Sequence, residues 1–556
     1  MKLVIVGGVA GGASAAARAR RLSEDARIVL FERGPDLSFA NCGLPYYIGG
    51  EITDRDTLLV AQPALLRDRF RLDLRPRTDV EAIDRARKVV RVRSLAEGRV
   101  YEETYDKLIL ATGAAPLRPP IPGIDLPGIH TLRSLGDTDR IKAAIDRGVA
   151  RAVMVGAGFI GLELVENLVR RGVATTLIEL QDQVLPPLDK EMTAPIAAAL
   201  RAHGVALRLG ESAEAFEPDG GGLAVRTKSG QRLPADLIIL GIGVRPESGL
   251  AAAAGLAVGP RGGIQVDPHL RTSDPDIYAV GDVVEVPDYV TGVPTQVPLA
   301  GPANRQGRIA ADHIFGRDSR YRGTQGTAIL RIFEMAAAMT GISEKLLVRA
   351  GRPYQKVYVH PTQHAGYYPG ARPMTIKLLF EPGRGTILGA QIVGEEGVET
   401  RIDVLAMALQ ARMTVFDLEE AELAYSPQFG SAKDAVNLAG FVAGGVARGD
   451  YPQVHVEDLP ALVREPSLML VDVRTRTEYD GGAIPGAVNI PLDELRDRLD
   501  ALPPGRRLIL YCQAGQRGYV ATRLLRQLGH DAANLGGGYK MYRMFHLRDR
   551  NGPSQS

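Results

Sequence analysis

The sequence predicts an α/β protein: two Rossmann-like dinucleotide-binding units, then an α+β unit, then a last α/β unit. Three observations carry that expectation. A strand, Gly turn, helix and second strand open the chain in "KLVIVGGVAGGASAAARARRLSEDARIVLFER". The same order returns near residue 151 in "RAVMVGAGFIGLELVENLVRRGVATTLIEL". Three further apolar runs end in Gly turns: "YDKLILATG", "ADLIILGIG" and "PDIYAVGD".

The first turn reads Gly7-Gly8-Val9-Ala10-Gly11-Gly12, with Val9 where the second turn has its middle glycine, and Glu32 ends the following strand. The second turn, Gly156-Ala157-Gly158-Phe159-Ile160-Gly161, is a full G-x-G-x-x-G. Its first glycine permits a tight turn, its second admits a pyrophosphate, and its third lets helix pack on strand. The helix start then offers free N–H groups to phosphate. Glu179 ends the next strand at the distance of a ribose 2′-hydroxyl and would repel a 2′-phosphate, which predicts NADH over NADPH. Asp282, after the third Gly turn, is an acceptor of the kind that binds a ribityl hydroxyl. Past residue 323, strand-like runs ("MTIKLLF", "TILGAQIVG") alternate with the helical "RIDVLAMALQARM". "AGGVARGDYPQ" (443–453) reads as a linker, and "LMLVDVR", "AVNIP" and "RLILYC" read as strands of the last unit.

The 556 residues carry a formal net charge of +2, which gives no electrostatic case for nucleic acid or membrane binding. No apolar run reaches the ~18 residues of a membrane span, and "MKLVIVGG" reads as a buried strand, not a signal peptide. The two cysteines, Cys42 and Cys512, cannot build a disulfide framework, which points to a reducing, cytoplasmic setting. Neither has a Cys-x-x-Cys partner or a His at ligand spacing, so no metal site is expected.

On the two βαβ units, "ATGAAP" (111–116), "GIGVRP" (241–246) and "TSDPDIYAVGD" (272–282), residues 1–445 resemble the FAD-dependent pyridine nucleotide-disulfide oxidoreductases. The resemblance implies a glutathione reductase-like arrangement: an FAD-binding domain (1–113 and 246–322), an NAD(H)-binding domain (114–245), a dimerisation domain (323–445) and a linker (446–455). In "SFANCGLPYY" (38–47), Cys42 stands alone, with Tyr47 where dithiol members carry a second Cys. The first Gly loop lacks the His usual in NADH peroxidases and oxidases. The stretch looks most like the coenzyme A-disulfide and persulfide reductases, with Cys42 as the redox nucleophile.

That resemblance implies cofactor contacts from Gly7, Ala10, Gly11, Glu32, Arg33, Asn41, Val80, Ala111, Thr112, Gly113, Asp282, Pro298, Leu299 and Ala300. It adds Gly156, Gly158, Phe159, Ile160, Gly161, Glu163, Glu179 and Gly243. Coenzyme A contacts are implied for Ser14, Arg18, Arg21, Ser38, Asn41, Arg71, Asn304 and Lys433. Arginines suit phosphate through bidentate bonds, and Arg18 and Arg21, three apart, share a helix face. Tyr367 and Tyr425 match tyrosines that reach the neighbouring subunit's active site, which implies a homodimer.

Residues 467–540 resemble a rhodanese (sulfurtransferase) domain, through "LVDVRTRTEYDGGAIPGAVNIP" and "LYCQAGQRGYVA", and 456–556 is its expected extent. There Cys512 and Arg517 bound a loop whose N–H groups form an anion nest. Arg517 adds positive charge, and together these favour Cys–S–S⁻. The expected activity is FAD-dependent NADH oxidoreduction of persulfides, polysulfides or coenzyme A disulfide through Cys42, with Cys512 delivering sulfane sulfur. The alternatives are an NADH oxidase or peroxidase with an accessory rhodanese, and a sulfur-relay protein with a redox-sensing flavin half.

Overall fold

The computed structural model of the protein describes residues 1–546; residues 547–556, the end of the expected 456–556 domain, lie outside the described residues. The chain forms two compact units. Met1–Asp182 and His203–Thr324 make the first; Gln183–Ala202 and the chain from Gln325 onward make the second.

The first unit holds two parallel five-stranded sheets. One runs Ile277–Ala279, Lys107–Leu110, Lys2–Val6, Arg27–Phe31, Asp73–Arg75. The other runs Ala206–Leu209, Ala174–Glu179, Arg151–Val155, Leu237–Leu240, Ile129–Thr131. Their inner strands are largely apolar because helices and loops cover both faces: Leu3, Val4 and Ile5 are fully buried, as are Leu237, Ile238 and Ile239, and the charged Lys2 and Arg151 stand at strand starts. Because neighbouring strands are parallel, the Gly turns ending Lys2–Val6, Lys107–Leu110 and Ile277–Ala279 open along one edge of the sheet. The helix Ala10–Leu22 follows the first turn, and its Ala15, Ala16 and Ala19 are buried. Its small residues admit the helix Ala300–Ile314 closely enough that a Cβ on Gly307 would stand 2.2 Å from the Gly11 carbonyl oxygen.

One charge on that helix is buried. Arg20 donates to the carbonyls of Phe70 (2.8 Å), Ser23 (2.9 Å), Glu24 (2.6 Å) and Arg71 (3.2 Å). All four bonds go to backbone, and they fix the loop that holds Arg71 in the left-handed region (φ 45°).

The second unit pairs an antiparallel sheet with a parallel one. The antiparallel order is Ala328–Ile332, Met335–Gly341, Ile387–Gly394, Met374–Phe380, Gln355–Val359. The parallel order is Gln453–Val454, Ala532–Leu535, Arg507–Tyr511, Leu468–Asp472, Val488–Asn489. Two sequence expectations change here. The stretch 443–453 is not a free linker: Ala443, Gly444 and Gly445 are buried in the helix Ala435–Ala447. Small residues serve close packing there, since a Cβ on Gly440 would stand 2.6 Å from the Glu419 amide nitrogen. Gln453 and Val454 then pair with Asn534 and Leu535 as an edge strand. The segment Gln183–Ala202, expected within the 114–245 domain, joins the second unit.

That segment is held by a buried ammonium. Lys377, in the strand Met374–Phe380, is completely buried, with Nζ 2.5 Å from Glu191, 2.5 Å from Glu344 and 2.9 Å from Asp189. Lys356 adds a second cation, 2.6 Å from Glu344 and paired also with Glu457. Burial pushes the Glu344 carboxyl up, but Lys377 and Lys356 outweigh it and hold it at about 2. Removing Lys377 takes the shared ammonium away from Asp189 and Glu191 and leaves Glu344 with Lys356 alone. Lys377→Met is therefore expected to lower the unfolding free energy by roughly 3–5 kcal/mol, read as a fall in the urea midpoint.

Candidate functional site

The two βαβ turns are wired identically. Gly8 N donates to Glu32 Oε2 at 2.8 Å, and Ala157 N donates to Glu179 Oε2 at 2.8 Å. The other oxygens accept from Gly34 N (2.7 Å) and Gln181 N (2.9 Å). Each carboxylate is thus fixed, and each oxygen keeps a lone pair for a ribose hydroxyl. Gly7 (φ 102°) and Gly156 (φ 105°) are left-handed, and a Cβ on either would strike the Ala111 or Gly241 carbonyl oxygen, at 2.1 and 2.4 Å. Gly161 lies on the Gly156 carbonyl oxygen, 2.1 Å from where its Cβ would stand. A Cβ on Gly158 would meet nothing within 4 Å. This open side at the start of the helix Phe159–Arg170 fits a pyrophosphate. In the first turn Val9 takes that place as N-cap of its helix. The donor set fits FAD at the first turn and NAD(H) at the second.

Around the first turn, Ala10 opens its helix, Gly11 packs on Val280, and Ala111 N donates to Val6 O at 2.7 Å. Gly113 and Gly243 are left-handed, at φ 71° and 114°. Val80 is buried opposite Val92, and Leu299, after Pro298, caps the helix that begins at Ala300. Burial raises the Asp282 carboxyl, with Arg133 opposing. Of the second-turn residues, Ile160 is exposed.

Cys42 sits in a 3-10 turn, Asn41–Gly43, that runs into the short helix Leu44–Gly49. Ser38, left-handed at φ 50°, anchors the approach: its N donates to Gly8 O and its carbonyl accepts from Val60 N, both at 2.8 Å. Asn41 Nδ2 donates to Arg133 O at 3.1 Å. Arg133 in turn donates to Glu247 (2.7 Å) and Thr112 O (3.3 Å), and Arg33 pairs with Glu247 at 2.9 Å. Glu247 and Arg133 thus tie the Cys loop to the 111–113 turn. The sequence reading missed both; a charged residue directly after "GVRP" was the one available signal. Tyr47, at the place of a second Cys, lies 5.7 Å from the Lys142 ammonium.

The helix Leu44–Gly49 lies against Phe159–Arg170 so closely that a Cβ on Gly49 would stand 1.8 Å from Asn167 Oδ1. This brings Tyr46 Oη to Glu163 Oε1, to which it donates at 3.3 Å. Burial, with Glu166 adding, raises the Glu163 carboxyl to about 7, against the Tyr46 hydrogen bond. Cys42 is exposed by surface area, yet the wall around it is dense enough that burial raises its thiol, and Glu163 and Asp282 raise it further. A backbone hydrogen bond at Cys42 opposes them and is the smallest of these effects.

Of the coenzyme A set, Ser14 Oγ donates to Asn304 Oδ1 at 2.5 Å, across two helices. Arg21, Asn41 and Arg71 are exposed. Arg18 differs from expectation: its guanidinium is ion-paired with Asp312 at 2.6 Å, and both side chains are nearly buried. In the second unit Lys433 is exposed, next to the helix-capping Asp434. There the hydroxyls of Tyr367 and Tyr425, both exposed, meet at 2.6 Å, and this hydrogen bond raises the Tyr367 phenol. Tyr368 stands instead edge-on to His364.

Cys512 ends the strand Arg507–Tyr511 and is 2 % exposed. Gly515 N lies 3.1 Å from its Sγ, with Gly515 left-handed at φ 102° ahead of the helix Gln516–Gln527. Arg517 forms a fork with Glu478, 2.7 Å on each arm, and this pair holds Glu478 at about 2. Glu478 raises the Arg517 guanidinium against burial and Cys512 adds to it, so the expected positive charge stands between a carboxylate and the sulfur, with the Gly515 N–H as a second source of positive potential. Arg474 is buried behind the loop, 2.6 Å from Asp472 and 4.1 Å from the Tyr539 ring centre.

Residues 1–307 match the family described as pyridine nucleotide-disulphide oxidoreductase, residues 327–435 its dimerisation domain, and residues 455–544 the rhodanese-like domain. The coenzyme A disulfide reductase of Staphylococcus aureus (strain bovine RF122 / ET3-1) is 37% identical over 444 residues, 80% of this chain and 99% of that protein. The crystal structure of reduced Bacillus anthracis CoADR-RHD superposes with a TM-score of 0.96 at 48% identity, over 98% of each chain. The NAD-dependent persulfide reductase of A. fulgidus gives 0.91 at 36% identity, over 98% of this chain and 100% of that one.

Two expectations follow from the geometry. Gly158→Ala places a methyl in open space, so the melting temperature stays at the wild-type value, while the Michaelis constant for NADH rises by about tenfold as the pyrophosphate loses its approach. Glu163→Gln removes a negative neighbour from Cys42, so its thiol titrates at lower pH, read from iodoacetamide alkylation rates in a Cys512→Ser background.

Proposed function

The chain belongs to the pyridine nucleotide-disulphide oxidoreductase family, and from that premise we propose that it is an FAD-dependent NADH oxidoreductase. Its substrates are persulfides, polysulfides or coenzyme A disulfide, reduced at Cys42, while Cys512 carries sulfane sulfur. The observation behind this reading is the pair of thiols. Cys42 has no second Cys near it in sequence, and Cys512 lies with a backbone N–H on its sulfur. A lone redox thiol suffices where the second sulfur belongs to the substrate.

The chain's own residues divide the work. FAD, when bound, carries two electrons from NADH to sulfur held on Cys42. Gly156, Gly158 and Glu179 would seat NADH; Gly7, Glu32 and Asp282 would seat the flavin nucleotide. The Cys42 thiolate attacks a coenzyme A persulfide at the sulfur bonded to coenzyme A. A Cys42–S–S–coenzyme A disulfide forms and hydrosulfide leaves; coenzyme A disulfide gives the same adduct and releases a coenzyme A thiolate. Two electrons and a proton then break the S–S bond, regenerating Cys42 and a thiol. Ser14, Asn304, Arg21 and Arg71 would hold coenzyme A, with Arg18 kept on Asp312. Tyr367 and Tyr425, whose hydroxyls already share a proton, would supply it to the leaving thiolate of a partner subunit in a homodimer. Two cysteines with no disulfide suit a cytoplasmic enzyme. Among the described residues, no helix is long and apolar enough to cross a membrane.

Anaerobic reoxidation of the NADH-reduced protein tests this reading. Coenzyme A persulfide, coenzyme A disulfide or polysulfide is expected to reoxidise it, with oxygen and peroxide far slower. Cys42→Ser is expected to abolish turnover of all three, and full persulfide turnover in that variant would sink the mechanism. Cys512→Ser is expected to spare coenzyme A disulfide reduction and to lose polysulfide-dependent sulfur transfer.

A further inference from the structure

The Cys512 loop is braced from behind by a glycine triplet, and that triplet is braced by a histidine of the dimerisation domain. Gly536, Gly537 and Gly538 lead into the helix Gly538–His546. Tyr539 N donates to Cys512 O at 2.8 Å, and Lys540 N donates to Gln513 O at 2.9 Å. Each peptide unit is planar, so a carbonyl turned toward this helix turns the next N–H the opposite way. The N–H groups of Gln513 and Ala514 therefore face away from the helix, and Gly515 N reaches Cys512 Sγ. The fit is tight: a Cβ on Gly538 would stand 2.3 Å from Cys512 O and 3.0 Å from Gly515 N. Gly537 and Gly538 are both left-handed, at φ 69° and 61°, so this segment has no slack to redistribute.

His360 directly follows the strand Gln355–Val359 and binds the triplet. Its Nε2 lies 3.1 Å from Gly537 O, and its Nδ1 lies 2.9 Å from Thr375 Oγ1. A carbonyl only accepts, so the ring proton sits on Nε2, and Nδ1 accepts from the Thr375 hydroxyl. Burial, with the nearby Lys540 ammonium adding, pushes the ring down to about 3, which keeps it neutral. A neutral ring with one assigned proton is a fixed donor.

We propose that His360 is a positioning residue for sulfur transfer at Cys512. Its Nε2–H holds the Gly537 carbonyl, and through Gly538, Tyr539 and Lys540 it sets the backbone N–H groups around the sulfur. His360 bonds the Gly537 carbonyl and the Thr375 hydroxyl, so it acts on the sulfur through the backbone. The dimerisation domain thereby shapes the sulfur-carrying loop of the rhodanese domain. The proposal rests on the reading of Cys512 as a sulfur carrier.

The test uses the full chain and two assays. In the first, Cys512–S⁻ takes the outer sulfur of thiosulfate and releases sulfite; the resulting Cys512–S–S⁻ gives that sulfur to cyanide as thiocyanate. In the second, NADH reduces coenzyme A disulfide without Cys512. His360→Leu is expected to lower kcat for transfer by about tenfold, the worth of one buried hydrogen bond, with KM for thiosulfate within about twofold. His360→Gln, which keeps a donor, is expected to retain about half the wild-type kcat or more. Thr375→Val, which frees the ring proton to sit on either nitrogen, is expected to cost about threefold. Coenzyme A disulfide reduction stays at the wild-type rate in all three. Wild-type transfer in His360→Leu, or equal losses in the Leu and Gln variants, would overturn the proposal. Should His360→Leu fail to fold, wild-type transfer in Thr375→Val overturns it instead. A wild-type chain with no transfer at all would overturn the Cys512 reading, and the proposal with it, while leaving the Cys42 chemistry standing.

Discussion

A carboxylate that ends one strand and accepts the backbone N–H of the preceding Gly turn is the constraint on which the first unit rests. Glu32 does this for Gly8, and Glu179 does it for Ala157. The bond closes the βαβ unit on itself. It fixes the left-handed glycine, sets the direction of the following helix, and leaves carboxylate lone pairs where a ribose must lie. The nucleotide and the turn then depend on the same two oxygens. Close approach does the rest: Gly7 and Gly156 sit on carbonyl oxygens of the next strand's turn, where no side chain fits.

The two thiols live in opposite electrostatic settings. Cys42 is exposed by surface area, but burial by the wall around it, with Glu163 and Asp282 adding, holds its proton more tightly than in a free thiol. Cys512 is buried, yet a backbone N–H points at its sulfur and the Arg517–Glu478 fork stands beside the loop. This second setting suits a sulfur that must carry negative charge out of water, since fixed N–H dipoles replace hydration. The acidic group Asp189, Glu191 and Glu344 is answered by the Lys377 ammonium at its centre.

Where the sequence misled, the cause was local patterning overridden by packing. "AGGVARGDYPQ" has the composition of a linker, but its first half is a helix whose glycines let Val415–Glu420 come close. Arg18 shares a helix face with Arg21, but Asp312 on a helix far along the chain captures it. "MTIKLLF" reads as an apolar strand with one stray lysine, and that lysine is the centre of the buried ion cluster. Arg20 clamps the carbonyls of Ser23 and Glu24 just past its helix together with those of Phe70 and Arg71 far along the chain. In each case a charge or a glycine meets a partner from another segment, and pattern within one segment holds no record of such a partner.

What the sequence by itself determined is the set of parts. Both βαβ units, the strand-ending glycines, the lone Cys42 and the Cys512 loop are all local: each needs only the conformational freedom of glycine and the periodicity of buried strands. What the tertiary structure decided is the setting of each part. It brought Glu247 and Arg133 to the Cys42 loop, Glu163 to Tyr46, Glu478 to Arg517, and His360 to the glycines behind Cys512. Those pairings are made by side chains from separate segments meeting in low dielectric, where one charge or one donor shifts a thiol's reactivity. Backbone geometry is written residue by residue, whereas electrostatic environment exists only after the chain has closed on itself.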